Sequence, residues 1–92
     1  MTYELILTPE AVKHLNEWRK SGQKKILKKI AEIFEELKIH PHRGTGKVEQ
    51  LRGDLSGFWS RRIDKGARIV YKIENERVVV IVVSLKGHYA DK

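Results

Sequence analysis

The sequence predicts an α+β fold in which an N-terminal strand and a helical hairpin pack on one face of an antiparallel-rich sheet. Two stretches with helical spacing of apolar residues are joined by Ser21-Gly22, a link short enough for an antiparallel hairpin. After Pro41, short apolar segments alternate with turn residues, which is typical of a meander of strands. The chain of 92 residues has room for one core, so we expect a single domain over residues 1–92.

The first half of the chain carries the signals of one strand and two helices. Tyr3–Leu7 is a short apolar segment, which favours a strand. Thr8-Pro9-Glu10 has the residue types that begin a helix: a hydroxyl side chain for the N-cap, proline for the first position and an acid for the first turn. Gln23–Lys38 predicts the second helix, because its apolar residues form one continuous stripe. The stripe consists of Ile26, Leu27, Ile30, Ile33, Phe34 and Leu37.

The second half of the chain predicts four further strands. In Arg68–Ile73 the side chains alternate, so that Ile69, Tyr71 and Ile73 share the face that we expect to meet the helices. Val78–Val83 is apolar without alternation, which predicts a central strand buried on both faces. The other face of the sheet is expected to be open and basic. The four predicted strands are Lys47–Leu51, Gly57–Ile63, Arg68–Ile73 and Val78–Ser84.

The composition favours a polyanionic partner and excludes several kinds of site. The chain has 19 Lys and Arg residues against 12 Asp and Glu residues, and the resulting net charge of +7 favours phosphate-rich partners, although a solvated basic surface would have the same composition. The absence of cysteine excludes disulfides, zinc-thiolate sites and thiol nucleophiles. The histidines show no metal-ligand spacing, so we expect no metal and no other cofactor. No signal peptide or membrane-spanning run is visible, so we expect a cytoplasmic protein without membrane contact.

The segment from Gly46 to Arg68 carries most of the residues that could perform chemistry. The carboxylate of Glu49 stands among six cations, and glycine-containing turns divide the segment into pieces of strand length. Neighbouring strands would bring charges that are distant in sequence onto one face of the sheet. The segment therefore predicts a surface for a polyanion with one base in it. The six cations are Lys47, Arg52, Arg61, Arg62, Lys65 and Arg68.

Three residues of the chain have the chemistry that cleavage of RNA requires. Glu49 can take the proton of a ribose 2′-hydroxyl, Arg68 can stabilise a pentacoordinate phosphate, and a protonated His88 can give a proton to the leaving 5′-oxygen. No spacing rule shows that the three residues meet. Glu49 could instead be a surface acid paired with Lys47 or Arg52. Arg68 could be an ordinary surface cation, and His88 could belong to a frayed tail.

Four motifs follow one another along the second half of the chain. They are Gly44-x-Gly46-Lys47-x-Glu49-x-Leu51, Leu55-Ser56-Gly57-Phe58-Trp59-Ser60-Arg61-Arg62-Ile63, Arg68-Ile69-Val70-Tyr71 and His88-Tyr89. Together they resemble the Txe/YoeB toxins of bacterial toxin–antitoxin modules, within the RelE/ParE superfamily. The resemblance implies a ribosome-dependent endoribonuclease that cuts messenger RNA in the ribosomal A site and so stops translation. The reaction it implies is a metal-independent transesterification through a 2′,3′-cyclic phosphate.

The resemblance also implies roles for single residues. Glu49 matches the general base of the family, His88 its general acid and Arg68 the arginine that stabilises the transition state. Tyr89 matches the terminal tyrosine that helps to place the substrate, although a packing aromatic or a platform for an unpaired base would also explain it. The candidates for RNA binding are Arg52, Arg62 and Lys47.

The same resemblance predicts partners and leaves two other functions open. It implies an antitoxin of the Phd/YefM type whose C-terminal segment wraps the toxin, the ribosome and messenger RNA as targets, and a homodimer as a frequent state. The alternatives are a ParE-like inhibitor of DNA gyrase and a non-catalytic module that binds RNA or the ribosome. Two features depart from the family pattern: Gly87 stands where many relatives carry a larger residue, and residues 90–92 extend beyond the terminal tyrosine.

Overall fold

The computed structural model describes residues 2–87 and has the predicted α+β architecture. The elements in chain order are β1 (Glu4–Leu7), α1 (Pro9–Ser21), α2 (Lys24–Ile39), β2 (Glu49–Gln50), a short 3-10 helix (Gly53–Leu55), β3 (Phe58–Asp64), β4 (Ala67–Glu74) and β5 (Val79–Gly87). The two helices lie on one face of a sheet with the strand order β1-β5-β4-β3-β2. β1 runs parallel to β5, and the other neighbouring strands are antiparallel.

Both α-helices follow the predicted bounds to within one residue, and the ends of α1 show why. Thr8 Oγ1 accepts a hydrogen bond from the Ala11 N–H at 3.2 Å, as an N-cap does. Gly22 ends α1 with a φ of 73°, a left-handed conformation that costs glycine little, and its N–H donates to the Arg19 carbonyl. The residues that α2 buries are four of the predicted stripe: Ile26, Ile30, Ile33 and Leu37. No helix within residues 2–87 is both long and apolar enough to cross a bilayer.

The hydrophobic core lies between the helices and the facing side of the sheet. Ile69 and Tyr71 of β4 are buried in it and Ile73 packs against it, which confirms the predicted core face of this strand. Because side chains alternate along a strand, Arg68 and Lys72 point to the opposite face, which the helices do not cover. We call this second surface the open face of the sheet.

β5 is an interior strand, as predicted, but it is not buried on both faces. Val80 and Val82 are fully buried on the core side, whereas Ile81 and Val83 on the open face are half-buried. The prediction of complete burial is wrong because the described part of the chain places no second layer over the open face. Continuous apolar runs indicate two-sided burial only where helices cover both faces.

β2 is shorter than the predicted strand Lys47–Leu51. Lys47 has a φ of 52°, which lies in the left-handed region and not in the extended region that a strand requires. Beyond Gln50 the chain passes within two residues into the 3-10 helix. The strand at this edge of the sheet is therefore only two residues long, which limits edge-to-edge pairing with other chains.

Candidate active site

The register of the sheet places charged residues in two adjacent rows across its open face. In the first row, Glu49 of β2 lies opposite Ser60 of β3. In the second row, Arg62 of β3 lies opposite Arg68 of β4, and Arg68 lies opposite Gly87 of β5. The rows are two residues apart along β3, so their side chains share one surface.

Glu49 and Arg68 form an ion pair across β3. Arg68 Nη1 donates a hydrogen bond to Glu49 Oε1 at 3.3 Å. The Arg68 side chain is 11% exposed and the Glu49 side chain is 40% exposed, so the carboxylate is the more accessible partner. Strong charge-assisted bonds are shorter, about 2.7–2.9 Å. The Glu49–Arg68 contact is longer than such bonds, and the structure does not show the alternative pairing of Glu49 with Lys47 or Arg52.

Arg62 and Arg68 form a cationic pair on neighbouring strands. Their Cα atoms are directly opposite each other, and like charges in this arrangement repel. Arg68 is neutralised by Glu49, whereas Arg62 is exposed and has no ion-pair partner among the residues that the structure describes. An anion bound at this row would relieve the repulsion, which makes the row a candidate phosphate position.

A shallow cleft of about 250 Å³ extends from Arg62 to α2. Its lining contains four cations and one carboxylate, Asp64, which accepts a hydrogen bond from the Gly66 N–H at 2.9 Å. Within residues 2–87, none of the four cations forms an ion pair. The sequence did not connect Lys29 with this surface, because its contribution depends on how α2 packs on the sheet. The four cations are Lys29, Lys47, Arg62 and Lys65.

Arg61, one of the six cations of the predicted surface, does not belong to that surface. It lies between Trp59 and Ile63 on the core side of β3 and is 0% exposed. Its guanidinium donates to Glu36 Oε1 at 2.8 Å and to the Tyr71 hydroxyl at 3.1 Å. It also donates to three backbone carbonyls of the loop between α2 and β2: those of His40 (2.7 Å), Arg43 (2.7 Å) and Thr45 (3.5 Å). Arg61 therefore fastens this loop to the sheet.

The same loop is held at two further points. Glu36 accepts hydrogen bonds from the Thr45 N–H at 2.7 Å and the Thr45 hydroxyl at 2.6 Å. Desolvation of Glu36 opposes ionisation, but the hydrogen bonds from Thr45 and the charge of Arg61 outweigh it and lower the pKa of Glu36 below its ordinary value. Gly46 has a φ of 93°, and a Cβ there would lie 2.8 Å from the Arg62 carbonyl oxygen, so only glycine fits. These contacts fix the segment that leads to Lys47 and Glu49.

The end of β5 is held by side chains of the N-terminal region. β1 pairs with β5 only as far as Leu7, opposite Val82, so the next backbone groups of β5 have no strand partner on that side. Side chains replace the missing strand, and they keep Gly87 beside Arg68. The bonds are Thr8 Oγ1 to the Val83 carbonyl (3.3 Å), the Leu85 N–H to His14 Nδ1 (3.1 Å), Trp18 Nε1 to the Leu85 carbonyl (3.0 Å) and Lys86 Nζ to Glu17 Oε1 (2.6 Å).

The structure brings together Glu49 and Arg68, two of the four predicted catalytic residues. The other two, His88 and Tyr89, lie outside the described residues. Arg52, a predicted RNA-binding residue, is exposed directly before the 3-10 helix and does not line the cleft. Within the described range, no group of three or more His, Asp or Glu side chains is arranged to hold a metal ion.

Known proteins match this chain over most of its length. The family model described as YoeB-like toxin of bacterial type II toxin-antitoxin system matches residues 7–89. Toxin YoeB of Streptomyces coelicolor is 42% identical over 72 residues, which cover 78% of this chain and 82% of that protein. Toxin YoeB of Escherichia coli O6:H1 is 36% identical over 86 residues, which cover 94% and 99%. The mRNA interferase toxin RelE of Escherichia coli K12 is 32% identical over 74 residues, which cover 77% and 70%.

Solved structures share the fold. The YoeB/ParE toxin from Agrobacterium tumefaciens superposes with a TM-score of 0.86 at 30% identity, covering 94% of this chain and 99% of that one. The YoeB dimer from Staphylococcus aureus gives 0.80 at 30% identity, covering 95% and 98%. YoeB in the heterotetrameric YoeB-YefM toxin-antitoxin complex from the same organism gives 0.78 at 30% identity, with the same coverage.

Proposed function

Because the chain belongs to the YoeB family of toxins from bacterial type II toxin–antitoxin systems, we propose that it is an endoribonuclease that cuts messenger RNA on the ribosome. The observation that carries this proposal is the Glu49–Arg68 pair on a cationic sheet face. A carboxylate and a guanidinium that meet beside further cations suit a reaction at a phosphodiester. The relative named an mRNA interferase supports the same chemistry.

In the proposed reaction, the 2′-hydroxyl oxygen of the RNA attacks the neighbouring phosphorus. Glu49 takes the proton from this hydroxyl while the new bond closes a 2′,3′-cyclic phosphate. The bond to the 5′-oxygen breaks, and His88 gives its proton to the leaving oxygen. Arg68 stabilises the negative charge that gathers on the phosphate oxygens in the transition state. These side chains supply the base, the acid and the cation, so the proposed reaction is metal-independent.

The end of β5 supports the role proposed for His88. Gly87, the last residue that the structure describes, lies opposite Arg68 in the row that contains Arg62. β5 therefore ends beside the proposed phosphate position, one residue before His88 in the sequence. We assign to Tyr89 the placing of the substrate, as the family likeness implies.

Substrate binding must open the ion pair that the free protein shows. Arg68 cannot neutralise Glu49 and a phosphate group equally well at the same time, because its charge is shared between them. A phosphate that draws Arg68 away leaves the Glu49 carboxylate free to accept a proton. The resting ion pair thus keeps the base inactive until a phosphodiester binds.

The neighbouring phosphates of the RNA are proposed to follow the cations of the open face. Arg62 stands beside Arg68, and Lys47 lies next to it in the cleft. Lys65, one of the cations predicted from the sequence, and Lys29, which the sequence did not connect with this surface, extend the row of cations along the cleft. Arg52, which is exposed after β2, provides a further phosphate contact. Each such contact releases counterions and strengthens binding at low salt.

The proposed partners follow from the solved relatives. YoeB from Staphylococcus aureus has been solved as a dimer and as a complex with YefM. By this likeness, we propose that the present chain forms a homodimer and binds an antitoxin of the Phd/YefM type. An acidic antitoxin segment would also complement the net charge of +7.

Primer extension on ribosome-bound message tests the proposed function. The wild-type protein should cut the message within the A site, and Glu49→Gln and His88→Ala should each reduce cleavage by about 100-fold or more. Glu32→Gln, a carboxylate-to-amide change at an exposed position of α2, is the matched control and should leave cleavage unchanged. If the wild-type protein leaves the message intact, the nuclease proposal is wrong and a ParE-like or an occupancy mechanism is favoured.

A further inference from the structure

Ser60 carries a buried hydroxyl that has no hydrogen-bond partner among the residues that the structure describes. It is the one buried side-chain polar atom in the described part of the chain of which this is true, and the residue is 0% exposed. Buried hydroxyl groups are nearly always paired, because an unpaired one loses its bonds to water and gains none in return. The orphaned hydroxyl of Ser60 therefore needs an explanation.

The position of Ser60 places this hydroxyl in the floor of the candidate active site. Ser60 and Glu49 are directly opposite each other on β3 and β2, with Cα atoms about 5 Å apart in such a pair. Both side chains are on the open face, and the Glu49–Arg68 ion pair spans β3 beside Ser60. In the resting arrangement, Arg68 supplies the hydrogen bond to Glu49 and Ser60 supplies none.

We propose that Ser60 is a positioning residue, whose hydroxyl donates a hydrogen bond to the Glu49 carboxylate once a substrate phosphate has drawn Arg68 away. This inference rests on the proposed function, since it requires Glu49 to act as the base. When Arg68 moves to the phosphate, the carboxylate loses its only described side-chain donor. The Ser60 hydroxyl replaces that donor and orients the carboxylate toward the 2′-hydroxyl. The new bond also gives the Ser60 hydroxyl a partner. Because it forms only after Arg68 has moved to the phosphate, this bond exists only in the reactive state.

An interaction that forms only in the reactive state should affect turnover and not stability. Bonds made only on the way to the transition state raise kcat, whereas bonds already present in the free protein stabilise the fold. Ser84 provides the contrast: it is also buried, but its Oγ accepts a hydrogen bond from the Lys86 N–H at 3.2 Å and lies 3.4 Å from His14 Nδ1. Loss of the Ser60 hydroxyl should therefore slow cleavage without lowering stability, whereas loss of the Ser84 hydroxyl should lower stability.

The experiment combines thermal unfolding with single-turnover cleavage on programmed ribosomes. Ser60→Ala should lower the cleavage rate at saturating ribosomes by about 10-fold to 100-fold. The ribosome concentration that gives half of the maximal rate should not change. The midpoint of unfolding should be equal to or above that of the wild type. Ser60→Cys, which keeps the volume but donates weakly, should be as slow as Ser60→Ala. Ser84→Ala should lower the midpoint of unfolding. Ser21→Ala, at an exposed residue of α1, should leave the cleavage rate unchanged.

Each deviation from this pattern has a distinct meaning. If the wild type cleaves and Ser60→Ala cleaves equally fast, the role of Ser60 is wrong and the nuclease proposal stands. If Ser60→Ala lowers the midpoint of unfolding as Ser84→Ala does, the hydroxyl is already bonded in the free protein, which overturns the inference. If the wild type itself does not cleave, the proposed function fails and the role of Ser60 falls with it.

Discussion

The guanidinium of Arg61 is shielded from solvent and donates to Glu36, to Tyr71 and to the loop carbonyls. The guanidinium of Arg62, the next residue, is exposed beside Arg68. Successive side chains of a strand point to opposite faces, so Arg61 and Arg62 have different roles although they are neighbours. Arg61 holds the loop that leads to Glu49, and Arg62 is available to a ligand.

The two arginines should therefore respond differently to the same substitution. Arg61→Ala removes one partner of a buried charge network and should destabilise the protein by about 3–5 kcal/mol. Arg62→Ala removes an exposed cation and should change the free energy of unfolding by less than about 0.5 kcal/mol while weakening RNA binding. Denaturant unfolding and binding of a short oligonucleotide measure the two effects. Equal loss of stability in both variants would contradict the assignment of Arg61 to the core.

For single residues, the sequence predicted residue types better than contacts. Glu49 and Arg68 were identified from their charges, but their ion pair depends on a third strand that lies between them. The burial of Arg61 could have been predicted, since period-two alternation places it on the same face as Trp59 and Ile63. The unpaired hydroxyl of Ser60 could not, because it depends on the register and packing of the neighbouring strands.

Elements were predictable where their signals are local. The caps and the apolar stripe lie within each helix, so the bounds of α1 and α2 could be read from a few residues. The parallel pairing of β1 with β5 joins the two ends of the chain, and nothing in either segment specifies the other. Beyond Leu7, side chains of α1 bond to β5 in place of β1. These contacts follow from the same pairing, so they could not be predicted from the sequence either.

Removal of the His14 ring should loosen the end of β5. His14→Ala deprives the Leu85 N–H of its acceptor, and Leu85 is fully buried, so we expect a loss of about 1–3 kcal/mol in stability. Amide hydrogen exchange should accelerate at Leu85 and remain slow at Val80, which lies earlier in β5 within its pairing with β1. Lys13→Ala, at the exposed neighbouring residue, is the control. Unchanged exchange at Leu85 would show that β5 does not need this contact.

The molecule as a whole presents an open face with two unlike halves. On one side, Ile6 and Ile81 lie opposite each other and are half-buried. On the other side, Arg62 and Arg68 lie opposite each other and continue into the cationic cleft. With a net charge of +7, the cations of this face repel one another unless an anion is bound. The whole-molecule charge thus favours a nucleic acid or an acidic protein segment, and we propose that its phosphates or carboxylates lie along the cleft.

The salt dependence of oligonucleotide binding can show whether cations of the cleft contact phosphates of the nucleic acid. A 2′-deoxy oligonucleotide lacks the hydroxyl that Glu49 would activate, so its binding can be measured without cleavage. If Lys29 and Lys65 each contact a phosphate, the double variant Lys29→Gln, Lys65→Gln should reduce the slope of log K against log salt by about 1.4, since each contact on a single strand contributes about 0.7. The double variant Lys13→Gln, Lys20→Gln removes the same charge from exposed positions of α1 outside the cleft lining. It should keep nearly the wild-type slope, because loss of general attraction changes affinity without removing a contact. Equal slopes for the two double variants would mean that net charge alone attracts the nucleic acid and that the cleft is not part of its path.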